Sequence, residues 1–398
     1  MIEKVEKPGE ELVSIARKIG ELLRLRFEKD PNFYLFSPDE TTSNRLDEVY
    51  KVEARAWGLK KEDWDLPESK SGRIVELLSE NTLFAAMVGH LSTGEQAMMA
   101  SYEAFFPIIF SQLLQQMKFY SQLESVSWRK VLPAVNLLST SICWRQDHNG
   151  FSHQSPALIS SLLSIPSKKV NCLFPIDDTS AEETFDFMLG SENVVNLMTF
   201  DKNENPRWID SYHAKFQFDN GGASIFGFAS DENPEIILTA VGDLATREMI
   251  FAREIIKRDL PELRLRFIGI NALSHGKIGT INKTLSTETF NNYFGENLPI
   301  IASFHGYSET LRTILNSYLS ANNNSTDNLS IHGFEEIGST TTPFEMLSLN
   351  HNSRFDLAAD IAKTIGRPDL EEKYLKLIEE NHEYAKLFGK DKVGLLIP

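Results

Sequence analysis

The densest run of chemically capable side chains is Arg145-Gln146-Asp147-His148-Asn149-Gly150-Phe151-Ser152-His153-Gln154. Two imidazoles five residues apart can donate to a phosphate or pass protons near neutral pH. The run follows Val131–Trp144, whose apolar residues predict a buried strand. In open α/β sheets, ligands bind beyond the carboxyl ends of strands. The same ten residues also suit a solvated loop with capping side chains; two histidines so close to one strand end favour the functional reading. No metal site is expected, because no cysteine or third histidine is near and this spacing is not a zinc pattern.

Other sets carry two readings each. Glu76 and Glu80 are four apart in a segment read as helical (73–90), so they would share one face, as solvated carboxylates or as a working pair. Ser43-Asn44-Arg45 suits a helix cap with a surface arginine, or a hydroxyl and guanidinium gripping phosphate. Ser339-Thr340-Thr341-Thr342 before Pro343 suits a helix start that caps itself or holds an anion. His305-Gly306-Tyr307 follows a predicted strand. By composition alone Tyr102, Phe105 and Phe106 read as core aromatics. There is no P-loop, GxGxxG or GxSxG.

These residues must be positioned by regular elements. A 398-residue chain that is 41% hydrophobic and 24% charged fits two globular domains. The net charge of −16 argues against nucleic acid or an anionic membrane as the main partner, though a local basic site for phosphate remains compatible. Cys143 and Cys172 stand in apolar contexts and fit a reducing cytoplasm. The first residues lack the apolar core and cleavage site of a signal peptide. The apolar stretch Leu83–Leu114 is interrupted by His90, Glu95 and Glu103, so it reads as buried helix rather than membrane span. Helices are predicted at 10–29, 73–90 and 97–118, with another starting near Arg45. Short apolar runs at Asn171–Pro175 and Val194–Phe200 alternate with a helix at 181–190. After the Asn/Asp/Gly-rich stretch near 203–235, strands at Ile236–Val241, Leu263–Ile270, Ile300–Phe304 and Leu329–Phe334 alternate with helices at 244–258, 286–294 and 308–320; helices at 354–365 and 368–388 follow. The βαβ rhythm implies parallel sheets, and the composition shift puts a boundary near 210.

Several strings, in order along nearly the whole chain, resemble phosphoketolases: FSPDETTSNRL (36–46), EVYKVEARAW (48–57), ELLSE (76–80), SYEAF (101–105), WRQDHNGFSHQ (144–154), VGD (241–243), FHGY (304–307) and GSTTTPFEM (338–346). The resemblance implies an α/β chain of two tandem doubly wound domains with mainly parallel sheets: a thiamine-diphosphate-binding fold at 1–210, the pyrimidine-binding domain, and a transketolase-C-terminal-like domain at 211–398. It implies cleavage of xylulose 5-phosphate or fructose 6-phosphate by inorganic phosphate, giving acetyl phosphate and an aldose phosphate. Glu80 matches the glutamate bonded to the cofactor's aminopyrimidine ring, and Phe105 an aromatic near it. Tyr102, His148 and His153 match residues around the two-carbon unit. Ser43, Arg45, Asn149 and Lys202 match the grip on substrate phosphate, for which a bidentate Arg is suited.

The family's diphosphate segment, Gly-Asp-Gly followed by Asn-Asn, has no counterpart; the one Gly-Asp, Gly242-Asp243, precedes Leu244. The expectation is therefore a back half that shares thiamine diphosphate with a diphosphate-domain chain, pairs with a second copy of itself, or both, with Mg²⁺ held on the other domain. The break would be natural, partial or a truncation. Asn81-Thr82 stands where the family has His-Gln, Glu95-Gln96 where it has Arg-His, and Lys202-Asn203-Glu204 where it has Lys-Gln-Pro. A non-catalytic assembly or regulatory paralogue, and the pyrimidine-binding subunit of a transketolase-like enzyme, are the competing expectations.

Overall fold

Runs of buried apolar residues with no polar alternation suit strands covered on both faces, and that is what most of the short apolar segments become. The computed structural model describes residues 5, 7–38, 41–60, 62–64 and 67–395. Asp39 and Glu40 of the 36–46 string lie outside them. The chain divides into two compact units: the residues up to Ile142 with Ile165–Lys215, and Cys143–Ser164 with the residues from Phe216 on. The sequence expectation drew one cut near 210; the histidine-bearing segment is an excursion of the first half that packs with the second.

The first unit opens with β1 (Leu12–Ser14) and α1 (Ile15–Lys29), whose Ile15, Ile19, Leu23 and Phe27 are buried. There follow β2 (Tyr34–Ser37), β3 (Arg55–Ala56), β4 (Glu68–Ser69), β5 (Ile74–Glu76), α2 (Glu80–Leu91), β6 (Ala97–Tyr102), α3 (Phe110–Leu123) and β7 (Val135–Thr140). Helix α4 (Ala157–Ser164) belongs to the second unit. The first then resumes with β8 (Val170–Leu173), α5 (Asp178–Leu189), β9 (Val195–Thr199) and β10 (Glu204–Pro206). Its strands lie in the order β8-β9-β7-β6-β2-β5-β3-β4, all parallel, while β10 pairs antiparallel with β1.

Three helix expectations fail here. Residues 97–102 are rich in Ala and Met, good helix formers, yet form the buried strand β6 between β2 and β7; burial on both faces overrides propensity. The segment 73–90 is β5, a turn, and then α2, capped by Ser79 Oγ accepting from Thr82 N. Glu76 thus ends a strand and Glu80 opens a helix, so they share no helix face. Glu76 is structural: it accepts from Tyr50 OH at 2.8 Å and pairs with Arg55 at 2.5 Å. Near Arg45 the chain makes a turn and then a short 3₁₀ stretch, Asp47–Lys51, not an α-helix.

Helix α6 (Ser211–Asp219) leads into the second unit, with β11 (Ala223–Ile225), β12 (Ile236–Val241), α7 (Asp243–Asp259), β13 (Leu265–Ile270), β14 (Ala272–Ser274), β15 (Lys277–Thr280), β16 (Lys283–Thr284), α8 (Thr287–Phe294), β17 (Ile300–Phe304), α9 (Ser308–Ala321), β18 (Leu329–His332), α10 (Pro343–Leu349), α11 (Arg354–Thr364) and α12 (Pro368–Phe388). Its sheet runs β11-β13-β12-β17-β18, parallel except for β11. The antiparallel β14–β15–β16 meander was not anticipated. Among the described residues no helix is long and apolar enough to cross a membrane.

Candidate active site

In the first unit the parallel register sets a row of polar residues at the carboxyl ends of neighbouring strands. Ser37 lies opposite Glu76, Tyr102 opposite Thr140, and Ser139 opposite Thr199. Glu80 opens α2 beside this row. It is half-buried, and its Oε1 accepts from Ser101 Oγ at 3.4 Å. Tyr102, next along β6, donates its hydroxyl to Ser43 Oγ at 3.3 Å and stacks on Phe105, with centroids 6.0 Å apart and planes 5° from parallel. The Lys202 ammonium lies 5.3 Å from the Tyr102 ring centroid, within cation–π range.

Arg45 sits at φ +59, a left-handed conformation uncommon outside glycine. Its backbone N–H closes the turn on Thr42 O, and its Nη2 donates to Asn203 Oδ1 at 3.2 Å. Asp201 orients Asn203 by accepting from its backbone and side-chain nitrogens. Glu80, Tyr102, Phe105, Ser43, Arg45 and Lys202 are therefore gathered by one sheet edge. Phe106, in contrast, is fully buried core. The buried hydroxyls of Ser37 and Thr199, each ending its strand, have no partner among the described residues; buried polar groups without one are expensive unless something else supplies it.

Asn149 and the two histidines are built differently, in the second unit. After the turn Cys143–Arg145 the chain loops through 146–150 and a 3₁₀ turn, Phe151–His153. Gln154 closes the loop. Its side chain is 2% exposed, and Nε2 donates to Gln146 O (2.8 Å) and Ser339 O (2.6 Å) while Oε1 accepts from Ser339 N (3.1 Å). Thr341 N donates to Asp147 O at 3.1 Å, so the 338–342 hydroxyl segment is zipped to the histidine loop. Gly150, at φ +71, allows this approach: a Cβ there would stand 2.6 Å from Thr340 Oγ1. Asn149 Nδ2 donates to Gln146 Oε1 at 2.7 Å, Ser152 Oγ lies 2.9 Å from His153 Nδ1, and His148 is exposed, 3.7 Å from the Asp147 carboxylate. Burial lifts Asp147 above the usual carboxylate range, against the pull of its own backbone N–H, His148 and Arg145. The four hydroxyls do precede a helix, but its first turn is occupied by Asp391, which accepts from Thr342 Oγ1 and Phe344 N.

Sequence reasoning missed the supporting residues Ser101, Asn203 and Gln154. Ser101 and Gln154 lay inside the SYEAF and WRQDHNGFSHQ strings, but only the fold shows which backbone or carboxylate each one holds.

Residues 17–191 match the family model described as D-xylulose 5-phosphate/D-fructose 6-phosphate phosphoketolase, and residues 202–395 match the XFP C-terminal domain. The chain belongs to the phosphoketolase family. It is 33% identical over 399 residues to a probable phosphoketolase of Nitrosospira multiformis, covering 97% of this chain and 49% of that one, and 32% identical over 403 residues to one of Nitrosomonas europaea, covering 98% and 50%. The chain spans about half the length of the curated phosphoketolases it matches. Its fold is similar to that of a Pichia stipitis transketolase (TM-score 0.69, 13% identity, 92% of this chain and 47% of that chain). It is also similar to a split-gene transketolase solved as an inactive β4 tetramer (TM-score 0.59, 12% identity, 89% and 98%). At these identities the likeness bears on fold alone, and it agrees with the expected pair of α/β domains, a thiamine-diphosphate-binding fold and a transketolase-C-terminal-like one.

Proposed function

We propose that this chain is the half of a phosphoketolase that holds the pyrimidine end of thiamine diphosphate and grips the sugar phosphate, and that it acts with a diphosphate-binding chain that holds the other end and Mg²⁺. The reaction is phosphorolytic cleavage of xylulose 5-phosphate or fructose 6-phosphate to acetyl phosphate and an aldose phosphate. The observation that carries the reading is the first-unit cluster: a half-buried glutamate opening α2, with a tyrosine–serine pair and two cations along the same strand ends.

The donor set fits the cofactor's pyrimidine side. Glu80 offers a carboxyl for a ring nitrogen, Phe105 an aromatic face, and the unpartnered Ser37 and Thr199 hydroxyls show polar capacity at the strand ends. When bound, thiamine diphosphate supplies the carbon nucleophile for the substrate carbonyl. Glu80 holds the proton at the ring nitrogen, and Ser101 fixes the carboxyl that does so. Arg45 and Lys202 supply positive charge and Ser43 a hydroxyl for substrate phosphate. His148 and His153 are placed to move protons in the loop that also carries Asn149. The first domain of the proposal is 1–210 and the second 211–398, with the histidine loop built onto the second.

Co-expression with a Gly-Asp-Gly-bearing thiamine-diphosphate chain, followed by assay of acetyl phosphate from either sugar phosphate and inorganic phosphate, tests this. Product that needs both chains is expected. A well-folded complex that makes none sinks the proposal. Calorimetry on this chain alone with thiamine diphosphate and Mg²⁺ is expected to show weak binding or none.

A further inference from the structure

The His148 loop borders a cavity whose other wall is the C-terminal segment. Helix α12 ends at Phe388, and Gly389, at φ +64, turns the chain back. Lys390, Asp391 and Lys392 then line a space of about 730 Å³ together with His148, Thr341 and Thr342. The return is pinned at one carboxylate. Asp391 Oδ1 accepts from Thr342 Oγ1 (2.5 Å) and Asn381 Nδ2 (2.9 Å), and Oδ2 accepts from Phe344 N (2.9 Å). Asn381, fully buried, completes the closure: its Oδ1 accepts from Lys392 N at 2.9 Å. Lys392 pairs with Glu380 at 2.9 Å, whereas Lys390 is exposed and has no ion pair among the described residues. The hydroxyl segment that Asp391 holds is the one zipped to the histidine loop through Thr341 N and Gln154.

We propose that Gly389–Gly394 is a latched wall of the His148 cavity, that Asp391 is its latch, and that the cavity takes a phosphate group between His148 and Lys390. A charged acceptor satisfying three donors on two elements makes the segment close as a unit, and losing that acceptor takes the partner from Thr342 Oγ1 and Phe344 N, while Asn381 Nδ2 keeps its bond to Glu345 Oε1 at 3.1 Å. The ligand class rests on the phosphoketolase reading; the latch does not. Asp391 is a positioning residue, acting on His148 through Thr342 and Thr341.

Hydrogen–deuterium exchange of the full chain, read on the peptide containing residues 389–394, tests both parts. Asp391→Asn is expected to speed exchange there about tenfold, because exchange follows the local opening equilibrium. Thr342→Val, which keeps the carboxylate and removes one donor, is expected to speed it about threefold and serves if Asp391→Asn fails to melt cooperatively. Exchange within twofold of wild type in the folded variant overturns the latch. Inorganic phosphate and fructose 6-phosphate are added separately; slowing by either one supports the ligand class and names its source, and slowing by neither overturns it. Lys390→Ala is expected to abolish that slowing, and persistence of the slowing removes Lys390 from the site. An intact latch in a chain that never yields acetyl phosphate with its partner refutes the catalytic reading and leaves the latch standing.

Discussion

Glu80, Tyr102, Phe105 and Lys202 stand at or beside the ends of parallel strands of one sheet, whereas His148, Asn149 and His153 ride a loop closed by one buried amide. In the first unit the sheet itself sets the geometry: ladder hydrogen bonds fix where Ser101 and Tyr102 point, and side-chain bonds such as Ser101–Glu80 only trim it. In the second unit no ladder reaches the histidines, and the positions depend on Gln154, Gly150 and the 338–342 segment. The difference teaches where each cluster is vulnerable. Sheet-mounted residues should lose chemistry when they are themselves changed; loop-mounted ones should lose position when their supports are.

The largest expected effect breaks the chemistry of the first unit. Glu80→Gln keeps size and hydrogen bonding but cannot exchange a proton at the same position. In the reconstituted enzyme, acetyl phosphate formation should fall about 10²–10⁴-fold, with the thermal midpoint within a degree or two of wild type, since Glu80 is half-buried and its bond to Ser101 is long. Retention of more than a tenth of the rate would remove the first-unit cluster from the centre of the reaction.

Next comes a contrast between buried carboxylates in the two units. Glu248 on α7 is fully buried; Arg354 donates to it from its backbone N, Nε and Nη2, each at 2.9 Å, and Arg247 adds a fourth bond. Burial pushes its pKa up, but the Arg354 and Arg247 charges outweigh this and hold it at about 2, below its ordinary 4.5. A folded value below the unfolded one gives stability that is present above pH 4.5 and lost as pH falls toward 2. Asp177, which caps α5 in the first unit, is shifted the other way: burial outweighs the N–H groups of Ser180, Ile209 and Trp208, so its pKa is raised. Its contribution is present at low pH and lost as pH rises through that raised value. The second unit should therefore be the first to loosen in acid, as exchange on α7 and α11 peptides between pH 4.5 and 2 would register. Glu248→Gln should cost about 3–5 kcal/mol at neutral pH by urea unfolding, because the buried guanidiniums lose their counter-charge, and should flatten that acid transition.

The second domain's strand–helix alternation was legible because β12, β13 and β17 and the helices between them carry clean apolar runs bounded by turn residues. Strand β6 was not, since Ala-Met-Met-Ala carries a helical local preference that only packing between β2 and β7 reverses. The site residues came from family strings rather than from periodicity. What those strings could not carry was support across the sequence: Gln154 meets Ser339 from 185 positions away, and Arg45 meets Asn203 from 158. Lone polar residues of that kind have no local signature. The histidine loop's departure into the second unit was hidden for the same reason, because its ties to 338–342 are the Gln154 side chain on Ser339 and one backbone bond from Thr341 N to Asp147 O, all to residues far along the chain.

A middle-sized effect sharpens the mounting argument. Gln154→Leu removes a side chain that satisfies Gln146 O, Ser339 O and Ser339 N. Orphaning buried backbone groups should cost about 2–3 kcal/mol in unfolding experiments, and the reconstituted rate should fall although Gln154 touches no reacting atom. Ser101→Ala, the corresponding support in the first unit, removes one 3.4 Å bond on a residue whose strand stays paired, so about 1 kcal/mol or less is expected. Equal costs for the two supports would erase the distinction between sheet and loop mounting.

A smaller effect than that at Gln154 concerns two positive-φ residues, one in each cluster. Gly150 has φ +71, and an added Cβ would meet Thr340 Oγ1 at 2.6 Å. Gly150→Ala should destabilise by about 1–2 kcal/mol, part from the left-handed backbone and part from the contact. Thr340→Ala in the same chain separates these, because it removes the hydroxyl and leaves the backbone strain. Recovery of about half the loss assigns the rest to φ; full recovery would mean the conformation itself costs nothing. Arg45 is the mirror case, a side chain kept at φ +59 where glycine would be easier. Arg45→Gly should therefore gain up to about 1 kcal/mol of stability while weakening substrate-phosphate binding in the reconstituted enzyme. The first unit tolerates backbone strain to keep a guanidinium at its strand ends, and the second gives up a side chain to bring two loops together; the sign of the stability change at 45 against that at 150 decides whether that contrast holds.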